Sequence, residues 1–126
     1  MPLPFPPFKP CPCGSERSYG ACCGPLHTGK QPAGTPEALM RSRYSAYALR
    51  DTAYVRRTWH PDTCPRDLNL EEDGAKYTGL TVHSAQDNEV TFTATLKVGG
   101  RAHRLRERST FEWRNGEWVY VSGAQP

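Results

Sequence analysis

A chain of 126 residues has room for one full domain but not for two, and its hydrophobic content of 37% is sufficient for a single core. The formal net charge of +3 is too small to indicate nucleic-acid binding by itself. No apolar run approaches the length of a membrane span, and the N-terminus MPLPFPPFKP lacks the features of a secretory signal, so we expect a cytoplasmic protein without a membrane partner. Residues 1–10 form a proline-rich arm, which we expect to be a disordered lead-in.

A cysteine cluster follows this arm. Cys11 and Cys13 are followed, after eight intervening residues, by Cys22 and Cys23. In a reducing compartment, clustered cysteines are more often metal ligands than disulfides. Four thiolates fill the tetrahedral shell of zinc and leave no open position for water or substrate. The sequence therefore predicts a structural zinc knuckle over residues 11–30, with iron as the alternative metal.

Two helices are predicted after the knuckle. The sequence TPE at 35–37 is typical of a helix start, with a hydroxyl cap, a proline at the first helical position and an acid near the positive end of the dipole. This helix is expected to reach about Leu49 and to bury one stripe of residues at helical spacing. Asp51 is expected to cap a second helix that carries Trp59 and ends before Pro61.

The rest of the chain is predicted to form strands. In EVTFTATLKV, at 89–98, apolar residues alternate strictly with threonine and lysine, which is the period of a strand with one buried face. The pairs Gly-Gly at 99–100 and Asn-Gly at 115–116 are two-residue hairpin signals, since these residues tolerate positive φ. The chain is thus expected to form about four antiparallel strands.

The two turns also predict the register of the strands that they join. Val98 would pair with Arg101, which places Phe92 opposite Glu107 on the same sheet face. By the same counting from the second turn, Trp113 would face Trp118. The face defined by this register collects Val90, Phe92, Ala94, Leu96, Val98, Leu105, Phe111, Trp113, Trp118 and Tyr120, together with two ionisable residues, His103 and Glu107.

The first strand does not fit this face through a short turn. A two-residue turn at Asp87 and Asn88 would put Leu80 and Val82 on the wrong side of the sheet. We therefore predict a three-residue loop with Asn88 in the left-handed region. The expected architecture is α+β, with helices covering the apolar face of an antiparallel sheet.

Several stretches of the sequence resemble known families. CPCGS with the later CC resembles the SEC-C zinc motif, best known at the C-terminal tail of the bacterial preprotein translocase motor. Together with PEALMRSRYSAYALRD, TWHP and LRERSTFEWRNGEWVYVSG, it makes nearly the whole chain similar to the YchJ family of uncharacterised bacterial proteins. The resemblance implies a SEC-C knuckle over residues 11–30 and a nuclear transport factor 2-like domain over residues 31–126, a cone of helices packed into a curved antiparallel sheet.

The resemblance implies no particular reaction. In the translocase, the SEC-C segment is associated with binding an export chaperone and the ribosome, so a protein or ribosomal partner is expected here by analogy with the motif. The chain differs from that tail in having Cys23 where a histidine is often the fourth ligand. This difference changes the type of ligand but not the number of ligands.

Glu107 has two interpretations, because a carboxylate on an apolar sheet face needs a partner. The first is a buried ion pair with Arg41, Arg43 or His60 that ties helix to sheet. The second is a small-molecule pocket at the open end of the cone, in which Glu107 and His60 are the candidates for proton transfer in an enzyme. The predicted pocket residues are Arg43, Tyr44, Tyr47, Trp59, His60, His103 and Glu107.

Three functions follow, in order of preference. The first is an adaptor whose zinc knuckle presents a rigid surface to a protein or ribosomal partner. The second is an enzyme or ligand-binding protein that uses the cone pocket. The third is weak RNA binding through a basic stripe on the opposite sheet face, formed by Lys97, Arg104, Arg106 and Arg108. Because the knuckle is poor in large apolar residues, chelation of its metal is expected to unfold the knuckle while sparing the cone.

Overall fold

The helices and strands follow one another in the predicted order. The computed structural model describes residues 5–72 and 74–126. Its helices are α1 (Gly24–His27), α2 (Pro36–Ala48) and α3 (Thr52–Arg57), with 3₁₀ turns at Tyr19–Ala21 and Leu70–Glu72. Its strands are β1 (Lys76–Gln86), β2 (Glu89–Val98), β3 (Arg101–Arg114) and β4 (Glu117–Ala124), which form an antiparallel sheet in the order β1-β2-β3-β4. The predicted α+β architecture is confirmed. No helix within these described ranges is long and apolar enough to cross a membrane.

Both longer helices start at the predicted caps. The Thr35 hydroxyl accepts a hydrogen bond from the N–H of Ala38, and the Asp51 carboxylate accepts one from the N–H of Tyr54, each at 3.1 Å. These bonds satisfy amide groups that have no partner within the helix. The second helix is shorter than predicted, because α3 ends before Trp59.

The segment around Trp59 extends the sheet instead. The N–H of Tyr120 donates to the carbonyl of Thr58, and the N–H of His60 donates to the carbonyl of Tyr120, both at 2.8 Å. Trp59 pairs with Tyr120 as a parallel bridge. The end of α3 is thereby joined to β4 by backbone hydrogen bonds.

The register of both predicted hairpins is confirmed. All four turn residues, at 99–100 and 115–116, have positive φ. Phe92 pairs with Glu107, and Trp113 pairs with Trp118, as expected. Two-residue turns of this kind match the twist of the strands and so leave little freedom in the pairing.

The predicted three-residue loop before β2 is wrong. Asp87 and Asn88 form a two-residue turn, and the positive φ of 54° belongs to Asp87. The conflict over the sheet face is resolved inside β1, where a register shift at His83 brings Val82 opposite Phe92. A bulge adds one residue to a strand and so returns the following side chains to the required face.

Helix α2 is buried on more than one side, which a single apolar stripe does not predict. It packs on β1, β2 and β4, and Met40 belongs to one core cluster with Val90 of β2 and Phe111 of β3. Ser42 and Ser45 are fully buried as well, Ser42 against α3 and Ser45 against the cysteines. The helix therefore connects the sheet to the N-terminal segment.

The apolar face of the sheet extends beyond the helices. Val98, Leu105 and Trp113 are 45%, 41% and 59% exposed, and His103 is exposed on the same strand as Leu105. These positions lie toward the ends of β2 and β3. The expectation that helices cover the apolar face is thus correct only for its centre.

Part of the N-terminal arm packs against the knuckle, contrary to the expectation of a disordered lead-in. The N–H of Gly20 donates to the carbonyl of Pro7 at 2.9 Å, and the ring of Phe5 meets that of Tyr19 edge-on at 5.1 Å. A Cβ on residue 20 would lie 2.8 Å from Pro7, so this approach requires glycine. The remaining arm residues, 1–4, lie outside the described part of the chain.

Candidate functional site

The four predicted metal ligands lie together. The sulfur atoms of Cys11, Cys13, Cys22 and Cys23 are all within 4.8 Å of one another, and all four residues are buried. The Cys13 and Cys22 sulfurs are 3.6 Å apart, and those of Cys22 and Cys23 are 3.9 Å apart. Four sulfurs bound tetrahedrally at about 2.3 Å from zinc would be about 3.8 Å from each other. The cluster therefore has the dimensions of a four-cysteine metal site.

The local backbone explains how thirteen residues bring four sulfurs together. The N–H of Cys11 donates to the carbonyl of Arg17 at 2.9 Å, and the N–H of Gly14 donates to the carbonyl of Cys11 at 3.1 Å. Gly14 has a φ of 77°, in the left-handed region that favours glycine, so the chain can reverse directly after Cys13. The turn at Tyr19–Ala21 then leads into Cys22 and Cys23 at the start of α1.

Sulfurs at this separation cannot all be negatively charged without a cation. The hydrogen bond with Cys11 is the main cause that lowers the pKa of Cys13, which accepts it, whereas the hydrogen bond with Cys11 is the main cause that raises the pKa of Cys23, which donates it. One thiolate is thus favoured at the expense of its neighbours. A bound metal ion removes this conflict, since it stabilises all four thiolates at once.

Polar side chains around the cluster donate hydrogen bonds to the sulfurs. The Ser45 hydroxyl from α2 donates to Cys23 Sγ at 3.3 Å, and Arg17 Nη2 donates to Cys22 Sγ at 3.6 Å. The Ser15 hydroxyl lies 3.1 Å from the same Cys22 sulfur. Donors of this kind stabilise the charge that a four-thiolate metal site retains.

Replacement of Ser45 by alanine should weaken metal binding without removing a ligand. We expect the affinity for added Zn²⁺ to fall about tenfold or more, the usual effect of losing an outer-shell hydrogen bond. Ser42→Ala is the matched control, because Ser42 is equally buried on the same helix but its hydroxyl contacts Tyr54 and the carbonyl of Leu39. The measurement is competition with a chromogenic chelator, and equal affinities for the two variants would contradict the prediction.

The knuckle is also bonded to α2 away from the sulfurs. Arg41 Nη1 donates to the carbonyl of Cys13 at 3.1 Å, and His27 Nε2 lies 2.7 Å from the carbonyl of Ser42. Burial is the main cause that lowers the pKa of His27, so its neutral ring donates through Nε2 and accepts from the Tyr19 hydroxyl at Nδ1. Both ring nitrogens are therefore satisfied in the uncharged form.

A second candidate site is a cavity of about 230 Å³ between α2 and the concave face of the sheet. We call it the cone cavity. It is lined by Met40, Arg43, Tyr44, Tyr47, Tyr77, Phe92, Ala94, Leu105, Glu107, Ser109, Phe111 and Tyr120. Four of the predicted pocket residues are among them, namely Arg43, Tyr44, Tyr47 and Glu107.

The structure places the other three predicted pocket residues outside the cone cavity. The Trp59 ring packs edge-on against Tyr120, with centroids 5.1 Å apart. His60 Nε2 lies 3.0 Å from a carboxylate oxygen of Glu112. His103 is exposed near the end of the sheet. Among the described residues, His60 is therefore not paired with Glu107, because its backbone is bonded to Tyr120 and its ring lies beside Glu112.

Arg43 is buried without a carboxylate partner among the described residues. Its Nη1 donates to the carbonyl of Val55 at 2.9 Å and to the hydroxyl of Thr58 at 2.8 Å. Its guanidinium lies over the rings of Tyr120, at 4.5 Å, and Trp59, at 4.9 Å. Burial is the main cause that lowers the pKa of Arg43, yet a guanidinium remains protonated in proteins. A positive charge thus lines the cone cavity.

Glu107 is held by hydroxyl groups and not by an arginine, so the predicted ion pair between helix and sheet does not form in the described residues. The hydroxyls of Ser109 and Tyr120 both donate to Glu107 Oε2. Burial, followed by the charge of Glu107, raises the pKa of Tyr120, so the phenol keeps its proton. The carboxylate rests on Gly123, where an added Cβ would overlap it.

Alanine at Gly123 should displace the Glu107 carboxylate. We expect Gly123→Ala to lower the free energy of unfolding by about 1–3 kcal/mol, the usual cost of overpacking. Adding Glu107→Ala should recover most of this loss, since the clash then disappears. Gly34→Ala is the control, because a Cβ there meets nothing within 4 Å. The measurement is urea unfolding of the wild-type protein, the single variants Gly123→Ala, Glu107→Ala and Gly34→Ala, and the double variant; strictly additive effects at residues 107 and 123 would refute the prediction.

The predicted basic stripe is exposed on the convex face of the sheet. Lys97, Arg104, Arg106 and Arg108 are all exposed, and Arg108 lies 3.7 Å from Glu89. Such a face is the ordinary solvated side of a sheet. The remaining cysteine, Cys64, is partly buried in the loop after α3, where its thiol lies 3.6 Å from the carbonyl of Pro65 and apart from the metal cluster.

Three features of these sites were missed from the sequence. The predicted register already put Ser109 and Tyr120 on the Glu107 face, so their hydroxyls could have been recognised as its partners. Tyr77 reaches the cone cavity only because β1 contains register shifts, which the sequence pattern does not indicate. The contact of Ser45 with the cysteines is long-range and left no local signal.

Comparison with family models gives two matches. Residues 35–123 match the family described as YchJ, middle NTF2-like domain, and residues 9–25 match the SEC-C motif. The first match contains the α2 and sheet residues that line the cone cavity, and the second contains all four clustered cysteines. The resemblance to both families is confirmed.

Individual relatives and solved structures agree with these matches. The chain is 62% identical to a UPF0225 protein of Deinococcus radiodurans over 122 residues, which cover 96% of this chain and 93% of the relative. It is 52% identical to a UPF0225 protein of Ralstonia nicotianae, with 96% and 95% of the two chains covered. The solution structure of a SEC-C motif containing protein from Rhodopseudomonas palustris has a TM-score of 0.81 at 37% identity, over 92% of this chain and 98% of that chain. A SEC-C motif containing protein from Psychrobacter arcticus shares the fold with a TM-score of 0.70 at 23% identity, over 92% of this chain and 82% of that one.

Proposed function

Because the chain belongs to the UPF0225 family and carries a SEC-C motif before a YchJ-type NTF2-like domain, we propose that it is a zinc-stabilised small-molecule binding protein whose ligand occupies the cone cavity. The observation that carries this proposal is the pair of opposite charges on the cavity wall. Arg43 and Glu107 both line the cone cavity, and neither has an oppositely charged partner among the described residues. Convergent polar groups in an otherwise aromatic pocket are typical of a ligand site.

In this proposal the metal is zinc and its role is structural. Four cysteine ligands suit zinc in size and softness, and they leave no coordination position for a substrate. The bonds from α2 to the knuckle hold the helix that carries Arg43 and Tyr44 against the sheet. Zinc would thereby stabilise the shape of the cone cavity, whereas the residues that recognise the ligand line the cavity itself.

Blocking the mouth of the cone cavity tests this proposal. Leu105 lines the cavity and is 41% exposed, so Leu105→Trp should close it without disturbing the core. Val98→Trp is the control, since Val98 is similarly exposed on the adjoining strand but does not line the cavity. The probe is phenol, titrated into ¹⁵N-labelled protein.

We expect phenol to cause saturable shifts at amides of the cavity lining, with a Kd of about 1 mM for so small a molecule. The shifts should persist in Val98→Trp and disappear in Leu105→Trp. Saturable binding that is unaffected by Leu105→Trp would place phenol elsewhere and refute the proposal. Absence of saturable binding to the wild-type protein would refute it equally.

A protein partner at the knuckle is the second candidate function, and one observation favours it. The Phe8 side chain is 79% exposed, although the next residue is fixed by a hydrogen bond from the N–H of Tyr19 to the carbonyl of Lys9. Aromatic side chains are frequent anchors at protein interfaces, and an ordered segment presents this one in a fixed position. Affinity purification with wild-type and Phe8→Ser baits tests this candidate, and identical partner lists would remove Phe8 from the explanation.

A further inference from the structure

We propose that the cone cavity selects a small aromatic acid that carries a hydrogen-bond donor at the end opposite its carboxylate. This inference rests on the proposed function, because it names the class of molecule that the cavity would bind. It depends on three features of the lining: the charge of Arg43, which has no carboxylate partner among the described residues, the second oxygen of Glu107, which accepts no hydrogen bond from them, and the aromatic wall.

Arg43 provides the position for the carboxylate. The residue is 5% exposed, and only its Nη1 donates hydrogen bonds to described residues. A buried guanidinium without a counter-ion is costly, and a planar carboxylate is the group that best matches its fork of N–H donors. An anionic ligand would therefore gain a charge-assisted hydrogen bond and would also complete the charge balance of the cavity.

Glu107 provides the position for the donor. Both hydrogen bonds that reach it from described residues end on Oε2, from Ser109 and from Tyr120. A carboxylate has about four lone-pair sites, so Oε1 retains the capacity to accept from a ligand. Ser109 and Gly123 fix the carboxylate in place, which makes this acceptor preorganised.

Tyr120 contacts both ends of the proposed site. Its ring lies under the Arg43 guanidinium, with 4.5 Å to the ring centroid, and its hydroxyl lies 3.4 Å from Glu107 Oε2. Arg43 and Glu107 thus lie against different parts of the Tyr120 side chain. A ligand that reaches both would therefore carry its carboxylate and its donor at opposite ends.

The remaining lining suits an aromatic ring of small size. Tyr44, Tyr77, Phe92 and Phe111 contribute rings to the wall, and Tyr44 and Tyr77 already pack edge-on at 5.8 Å. Such walls favour edge-to-face and offset contacts with a further ring. The volume of about 230 Å³ is enough for one substituted ring.

Three probes of nearly equal shape test this inference. They are 4-hydroxybenzoate, its uncharged analogue 4-hydroxybenzamide, and benzoate, which lacks the donor. By ¹⁵N-monitored titration of the full chain, we expect 4-hydroxybenzoate to bind about tenfold tighter than either of the other two, since each loses one charge-assisted hydrogen bond. Equal affinity for the acid and the amide would refute the inference.

Two substitutions test which residue binds each end of the ligand. Glu107→Gln, which loses the charge but keeps one acceptor oxygen, should reduce the advantage of 4-hydroxybenzoate over benzoate and preserve that of acid over amide. Arg43→Lys, which keeps the charge but loses the planar fork, should reduce the preference for the acid; Arg41→Lys on the same helix, outside the lining, should leave both preferences intact. If Arg43→Lys does not fold, the affinities of the wild-type protein for the three probes still test the inference.

The outcome separates this inference from the proposed function. If phenol binds in the cavity but the three probes bind equally, the cavity is a ligand site of another class and only this inference fails. If phenol does not bind either, the proposed function fails together with it.

Discussion

Replacement of Cys13 and Cys23 by serine is expected to abolish metal binding and to unfold α2 together with the knuckle. Apparent binding free energies of structural zinc are about 10–16 kcal/mol in zinc-finger peptides, as large as the whole stability of a typical domain, about 5–15 kcal/mol. Here the cysteines form one buried cluster with Tyr44 and Ala94, which belong to α2 and β2. The loss of the metal would therefore expose core residues of the sheet domain.

Circular dichroism during thermal unfolding is the measurement for this prediction. We expect one transition at a much lower temperature than in the wild-type protein, and the same result after chelation. Cys64→Ser is the control, because Cys64 lies outside the cluster of four cysteines. If α2 and the sheet keep their hydrogen-exchange protection while only the knuckle amides lose theirs, the modular behaviour expected from the sequence is correct and the present expectation is wrong.

The second large effect is expected at Arg43. Arg43→Met would leave the Val55 carbonyl with one bond fewer and would remove the guanidinium from the rings of Trp59 and Tyr120. Hydrogen bonds to charged groups contribute about 1.5–3 kcal/mol each, so we expect the free energy of unfolding to fall by about 2–4 kcal/mol. This residue joins α2 to the end of α3 and, through Tyr120, to β4.

Urea unfolding of Arg43→Met beside Arg108→Met checks this expectation. Arg108 is an exposed arginine of the sheet with a single surface partner, Glu89, so its loss should cost less than about 1 kcal/mol. Equal losses in the two variants would show that Arg43 does not connect these elements. A larger loss in Arg43→Met with unchanged phenol binding would separate its role in folding from its role in the cavity.

The parts of the fold that local chemistry determines could be predicted from the sequence. Thr35 and Asp51 cap helices because their side chains reach amides three residues ahead. The strand register could be counted outward from Gly99 and Asn115, since a two-residue turn fixes which residues of the two strands pair. The cysteine spacing likewise predicted the cysteine cluster, because all four residues lie within one short segment.

The parts that depend on distant contacts could not be predicted. The position of Trp59 and His60 is determined by pairing with Tyr120, sixty residues later in the chain, which moved both away from the cavity. The bulge at His83 interrupts the apolar alternation of β1, and its position follows only from the pairing of β1 with β2. Arg43 was expected either to neutralise Glu107 or to line a pocket. The sequence could not decide between the two, because the answer depends on Tyr120, which packs against Arg43 and donates to Glu107.

Because the cysteines pack against α2, their site is complete only after α2 has been synthesised. Ser45 follows Cys23 by 22 residues and Cys11 by 34, so the metal ligands leave the ribosome well before the helix that covers them. The strands pair only with their neighbours in sequence, and the sheet can form hairpin by hairpin as it emerges. The cysteines are therefore translated before the helix that completes their surroundings, and their thiols depend on reducing conditions during that interval.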